Sequence, residues 1–273
     1  MSNDYKVVAL DLDGTLTNGK KEITEVTRRA IDKARAMGVK IVLASGRPHI
    51  GIRTVAEALD VEHEGGYILS YNGGQITDCI TGEVIYRKRI DSDCFRDICE
   101  TIRKFENIYP LTYDDDSVIS ENIEHKYVQR EGFNCSLPLK RVENLYEAVK
   151  GREVVKFEIV GEHQDLEPVR EYLQKRFPFQ LSVYYSEPYF LEVVAPNIAK
   201  DKSLAVLLSK LGYTKEQLMA CGDGLNDLPM LEYAGLAVAM ENGCREAKLV
   251  SDFVTKTNEE DGVAYAFEKF IFN

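Results

Sequence analysis

No two of the six cysteines in this 273-residue chain are spaced as Cys-x-x-Cys, so the thiolate pairs that hold zinc are missing. The four histidines, His49, His63, His125 and His163, show no ligand spacing either. Positive charge is in short supply. Lys and Arg number 34 against 45 Asp and Glu, a net charge of −11. A nucleic-acid surface needs a basic stripe, and this balance argues against one. An anionic substrate would in turn need local cations to offset the field. No run of ~18 apolar residues is present to span a membrane, and no secretory leader is recognisable. The scattered cysteines suit reduced thiols, so the expected compartment is the cytoplasm. Two further motifs are lacking, the GxSxG elbow and HExxH. A near-P-loop, Gly14-x4-Gly19-Lys20, is followed by Lys21 and so lacks the magnesium-binding hydroxyl.

What is present is ordinary in bulk and specific in detail. Hydrophobic residues make up 44% and charged residues 29%, values normal for a globular chain, and the length allows one large or two moderate domains. The most informative run is Val7-Val8-Ala9-Leu10-Asp11-Leu12-Asp13-Gly14-Thr15-Leu16. Four apolar residues read as a short buried strand. Two carboxylates follow at i and i+2, spacing that puts both on the same side of an extended chain. An unpaired carboxylate inside a buried strand is costly, so the pair is expected at the strand's carboxyl edge, where open α/β sheets place their chemistry. Two distant segments repeat the theme of apolar run, polar group with glycine, then helix. They are Ser45-Gly46-Arg47-Pro48 after Val39 to Ala44, and Gly222-Asp223-Gly224-Leu225-Asn226-Asp227 after Leu218-Met219-Ala220.

Strand and helix alternate on both sides of a different middle third. Thr24 to Met37 reads as a helix stopped by Gly38, Pro48 to about Leu59 as a second, and Tyr67 to Ser70 as a strand before the turn Asn72-Gly73-Gly74. Residues 75–78 and 84–89 read as a hairpin. Residues from about 90 to 187 mix helices and strands in an α+β pattern, Tyr189 to Ala195 reads as a strand returning to the core, and alternation resumes from Lys200 to a terminal helix.

Together these motifs resemble the haloacid-dehalogenase-like phosphatases, and within them the Cof-type (subclass IIB) sugar phosphatases. Asp11 to Leu16 is similar to the family's first motif, Ser45 to Pro48 to its second, Gly222 to Asp227 to its fourth, and Asp261-Gly262-Val263-Ala264 to its usual ending. The resemblance implies an α/β fold: a Rossmann-like, doubly wound parallel-sheet core over 1–83 and 189–273, with an inserted α+β (C2B-type) cap over 84–188 that contributes specificity. It implies a magnesium-dependent phosphatase of small phosphorylated metabolites, most simply sugar phosphates. Asp11 would be the nucleophile, forming an aspartyl-phosphate, and Asp13 the general acid and base. Mg2+ would be held by the Asp11 carboxylate, the Asp13 carbonyl and Asp223, with Asp227 behind them. Ser45 and Gly46 would meet the phosphoryl group, with Ser45 alternatively capping the helix after it. Asn226 would contact phosphate or cap its own helix, and Asn72 would sit near the phosphate or merely turn the chain. The family's third-motif lysine matches Lys200-Asp201-Lys202-Ser203-Leu204, where the usual glycine is Asp201; counting favours Lys200 over Lys202. A phosphosugar phosphotransferase and a non-catalytic phosphosugar-binding regulator are the competing functions. The retained pair Asp11 and Asp13 argues against the regulator.

Overall fold

A computed structural model of the chain describes residues 5–272. In chain order its strands are β1 (Val7–Leu10), β2 (Lys40–Ala44), β3 (Tyr67–Ser70), β4 (Gln75–Asp78), β5 (Val84–Arg87), β6 (Ile108–Tyr113), β7 (Val118–Ser120), β8 (Leu139–Arg141), β9 (Lys156–Gly161), β10 (Ser182–Glu187), β11 (Phe190–Val194), β12 (Leu218–Gly222), β13 (Leu236–Ala239) and β14 (Phe253–Val254). They form two sheets, ordered β14-β13-β12-β1-β2-β3-β4-β5 and β10-β11-β9-β6-β7-β8.

The first sheet is parallel from β14 to β3, and β4 then returns antiparallel on β3. β1 lies at its centre between β12 and β2, which explains why all four of its residues are apolar and fully buried. Alternate residues feed opposite layers. Val8, Leu10, Ile41 and Leu43 pack with Ile31 and Phe267, whereas Val7, Ala9, Val42 and Ala44 pack with Leu204, Leu207 and Met230. The sheet is therefore covered on both faces, as a doubly wound fold requires. Thr24 caps the helix Glu25–Ala36, accepting from the Thr27 N–H, and Gly38 follows it at φ +89°.

The second sheet is antiparallel except for the β7–β8 pair. One face, with Phe157, Ile159, Leu191 and Val193, packs on the helices Ser92–Ile102 and His163–Arg176 through Phe95, Ile98, Leu166, Val169 and Leu173. The other face joins Leu111, Val118, Val160 and Phe190 to Val128 of the helix Lys126–Cys135.

The chain divides into one unit that runs to Tyr86 and resumes at Ala199, and another from Arg87 to Ile198. The expected boundaries at 83/84 and 188/189 thus move to 86/87 and 198/199. The larger change has a plain cause. The strand expected to re-enter the core at Tyr189 is β11, which pairs with β9 and β10 in the second sheet. The helix expected from Pro48 is a 3-10 turn, His49–Ile52, followed by the helix Arg53–Ala58, with Pro48 extended just before them. Among the described residues no helix is long and apolar enough to cross a membrane, and all six cysteines are free.

Candidate active site

Three strand ends of the first sheet deliver the candidate groups. At the end of β1 the Asp11 N–H still bonds Cys221 O of β12, at 3.0 Å, so the backbone ladder fixes Asp11 while its side chain reaches past the sheet. Gly14 then turns the chain at φ +82°. A Cβ there would lie 2.4 Å from Asp223 Oδ2, so glycine serves twice, for its conformation and for the approach of the Asp223 carboxylate. Past β12, a Cβ on Gly222 would lie 2.6 Å from the Asp227 Cβ. Asp227 can therefore fold back, and its Oδ2 accepts from the N–H groups of Asp223 (3.0 Å) and Gly224 (2.9 Å).

Burial separates the two candidate lysines. Lys200 opens the helix Lys200–Leu211, and its side chain is 0% exposed. Its ammonium donates to Asp11 Oδ1 at 2.7 Å, Asp227 Oδ1 at 2.5 Å and Ala44 O at 2.8 Å, so all three N–H groups are used. Lys202 is 67% exposed and pairs with Asp201. A cation at a helix N-terminus opposes the helix dipole, so the site, and not the helix, accounts for Lys200.

The carboxylates of Asp11, Asp223 and Asp227 offer oxygens that all lie within 4.8 Å of one another. Three carboxylates face one ammonium. Burial, then Asp227, push the Asp11 carboxyl well above its usual range against the pull of Lys200. Burial likewise raises Asp223, opposed by the Thr15 hydroxyl, which donates to its Oδ1 at 2.8 Å. Burial works against the Lys200 ammonium too, but Asp11 and Asp227 outweigh it and hold it charged. An all-oxygen donor set with a deficit of positive charge fits a hard divalent cation such as Mg2+. Asp11 and Asp223 each keep an oxygen clear of the bonds described above. Asp227 does not: Lys200 takes its Oδ1, and the N–H groups of Asp223 and Gly224 take its Oδ2.

Asp13 departs from the expectation of two like-oriented carboxylates. Its side chain does not join the cluster. It is 52% exposed, and both of its oxygens are taken by Arg47, Nε to Oδ2 at 2.8 Å and Nη2 to Oδ1 at 2.5 Å. The i, i+2 rule fails because the strand ends at Leu10, and Asp13 already belongs to a turn in which the Thr15 and Thr17 N–H groups bond Leu12 O.

The remaining candidates come together. Ser45 is buried, its N–H bonds Leu69 O, and its Oγ accepts from the Arg47 N–H at 3.1 Å. Its hydroxyl proton, and not its own N–H, is what it has to offer a ligand. Gly46 passes so close to Asn72 that a Cβ would lie 3.0 Å from Nδ2. Asn226 donates from Nδ2 to Asn72 Oδ1 at 3.3 Å. Asn226 caps nothing, since it lies inside a 3-10 turn and the helix Leu228–Tyr233 has Asp227 at its N-cap position. Asn72 has a left-handed backbone, φ 55°. Sequence reading missed Thr15, the ties of Arg47, and Asn242, whose Nδ2 donates to Gly14 O at 2.7 Å. Thr15 and Arg47 stand inside the quoted motifs, so a signal existed; Asn242 had none.

Comparison with known proteins gives a consistent answer. The family model described as haloacid dehalogenase-like hydrolase matches residues 8–267. A protein of Streptococcus pyogenes serotype M6, named as a candidate phosphatase, is 31% identical over 269 residues, covering 98% of this chain and 99% of its own. The 5-amino-6-(5-phospho-D-ribitylamino)uracil phosphatase YcsE of Bacillus subtilis is 31% identical over 274 residues, covering 98% of this chain and 96% of its own. The crystal structure of a haloacid dehalogenase-like hydrolase from Bacteroides thetaiotaomicron superposes with a TM-score of 0.93 at 41% identity, covering 97% of this chain and 99% of that one.

Proposed function

The chain belongs to the haloacid dehalogenase-like hydrolase family, and from that premise we propose that it is a magnesium-dependent phosphatase of small phosphorylated metabolites, sugar phosphates first among them, working in the cytoplasm. The observation that carries the reading is the buried Lys200 ammonium shared between Asp11 and Asp227, with Asp223 alongside. Lys200 pulls against the burial that pushes the Asp11 carboxyl up, and a bound divalent cation would add to that pull.

An oxygen of Asp11 attacks phosphorus as the bond to the leaving oxygen breaks, giving an aspartyl-phosphate and passing a proton from Asp13 to the leaving alcohol. Water then attacks that phosphorus, Asp13 takes its proton, and Asp11 is restored with release of phosphate. Ser45, Gly46 and the paired Asn72 and Asn226 hold the phosphoryl oxygens, and Lys200 offsets their charge as a compact point charge. Mg2+, held by Asp11, the Asp13 carbonyl and Asp223, would offset repulsion between the nucleophile and an anionic substrate. Asp227 orients Lys200 and the loop after β12.

The relatives bear on the substrate in two ways. Their names support phosphatase chemistry, and one of them names a phosphoribityl compound that is not a simple sugar phosphate. The test is a phosphate-release screen with Mg2+ over phosphorylated sugars, that ribitylaminouracil ester, nucleotides and cofactors, with Asp11→Asn as the blank. Release from several sugar phosphates without an acceptor is expected. Release only when a phosphosugar acceptor is added would replace hydrolysis with phosphotransfer, and no release from any ester would remove the reading.

A further inference from the structure

We propose that Arg47 is the positioning residue for Asp13, gripping the proton donor at two points and aiming it at the leaving oxygen. The inference rests on the phosphatase reading, in which Asp13 handles the proton.

Asp13 has little else to fix it. It lies in a turn, its side chain is half exposed, and the two bonds from Arg47 are the ones its carboxylate makes. A half-exposed aspartate without such bonds samples several rotamers, most of them pointing away from any one bound atom. Arg47 itself is well anchored. Its side chain is 12% exposed, its Nη1 donates to Gly51 O at 3.2 Å, and its N–H is bonded to Ser45 Oγ. The guanidinium is therefore fixed to the loop after β2, the same loop that carries Ser45 and Gly46. Two parallel N–H···O bonds set both the place and the rotation of a carboxylate. An ion pair with one member this exposed adds little to folding stability, so stability does not account for the arrangement.

Each of the two bonds fixes one oxygen of the carboxyl, so loss of either lets the group turn. A lysine would keep the charge but not the two-point geometry.

Leaving groups that differ in their need for a proton separate this role from others. Wild type, Asp13→Asn, Arg47→Lys and Arg47→Gln are compared on p-nitrophenyl phosphate, whose leaving group departs without help, and on phenyl phosphate, which gains from protonation. The expected result is a fall in kcat/KM of roughly 10- to 100-fold on phenyl phosphate and about 3-fold or less on p-nitrophenyl phosphate for Arg47→Gln, with Arg47→Lys in between. Combining Arg47→Gln with Asp13→Asn should cost no more than Asp13→Asn alone. If Asp13→Asn discriminates between the two esters but Arg47→Gln lowers both equally, Arg47 holds the phosphoryl group or the loop, and the proposal is overturned while the reading stands. If Asp13→Asn itself fails to discriminate, the donor assignment falls and this proposal with it.

Discussion

Each unit of the protein buries a lysine among carboxylates, and the two clusters are built differently. In the first unit Lys200 meets Asp11 and Asp227, which arrive from the ends of separate strands, and its three N–H groups are each directed at an acceptor. In the second unit Lys156 lies 2.5 Å from Glu158 and 3.4 Å from Glu192, in the middle of a sheet. Glu158 and Glu192 face each other directly across β9 and β11, a like-charge pairing that destabilises a sheet. The Tyr113 hydroxyl lies 2.7 Å from Glu131 Oε1 and 3.2 Å from Glu158 Oε1, Cys135 donates to Glu131, and Glu158 Oε2 is buried without a partner. Burial first, then Glu131, push Glu158 up to about 8, so its carboxyl keeps a proton at neutral pH. Buried, perturbed carboxylates are thus common to both clusters and cannot by themselves mark the reaction centre. What sets the first cluster apart is position at the carboxyl ends of parallel strands, together with oxygens of Asp11 and Asp223 left clear of the hydrogen bonds described above.

The sharpest way to separate the clusters is a variant in the first. Asp11→Asn is expected to lose phosphate release by at least about 1,000-fold, because an amide cannot act as the nucleophile. The same variant, and Asp223→Asn, should also lose the stabilisation that Mg2+ gives the wild type, roughly 2–3 kcal/mol at 100 times the dissociation constant, read as a rise in thermal midpoint. A chelated wild type should be inactive and regain turnover with Mg2+. Full activity after complete removal of divalent ions would erase the distinction drawn here.

A smaller effect compares the lysines. Lys200→Met leaves Asp11 and Asp227 facing each other without a cation and should lower stability by about 3–5 kcal/mol, the range for breaking a buried pair. Lys156→Met should cost less at pH 7, because Glu158 already holds a proton there. Urea unfolding of both variants checks the order, and equal losses would mean that the second cluster is as fully ionised as the first.

The smallest effect is a slope. A carboxyl whose folded pKa is raised contributes stability that is full below its ordinary value near 4.5 and is lost as pH rises through the folded value of about 8. Between those limits Glu158 removes about 1.4 kcal/mol for each unit of pH. The difference in urea midpoint between wild type and Glu158→Gln should therefore shift steadily toward the variant from pH 5 to pH 8. A constant difference across that range would place the proton elsewhere in the cluster.

The same contrast explains what the sequence could reveal. Asp11, Asp223 and Asp227 were legible because chemistry at strand ends breaks an apolar run with paired acids and glycine. The second cluster was not. Lys156, Glu158 and Glu192 sit in alternating strand patterns that read as solvated faces, and nothing local says what covers them. The misassigned strand Phe190–Val194 follows the same logic, since its apolar run suits either sheet; the polar Glu192 in its centre was the one hint against a doubly covered core strand. Lys200 and Lys202 stand two apart at a helix start, and only packing distinguishes the buried one from the exposed one. The partnership of Arg47 with Asp13 joins residues 34 positions apart, a contact that no local rule reaches.

The placement of β1 bears on how the chain is made. Its register with β12 pairs Val7 with Leu218, while the second unit, Arg87 to Ile198, is continuous in sequence. A ribosome adding roughly 5–20 residues per second needs on the order of 10 s to pass from the end of one half of the core to the start of the other. During that interval the central strand has β2 on one side and an open edge on the other, and the inserted unit has its whole complement of strands first. Contact order is therefore high for the first sheet and low for the insert. Asp11 meets Lys200 and Asp227 only once the last third of the chain has emerged.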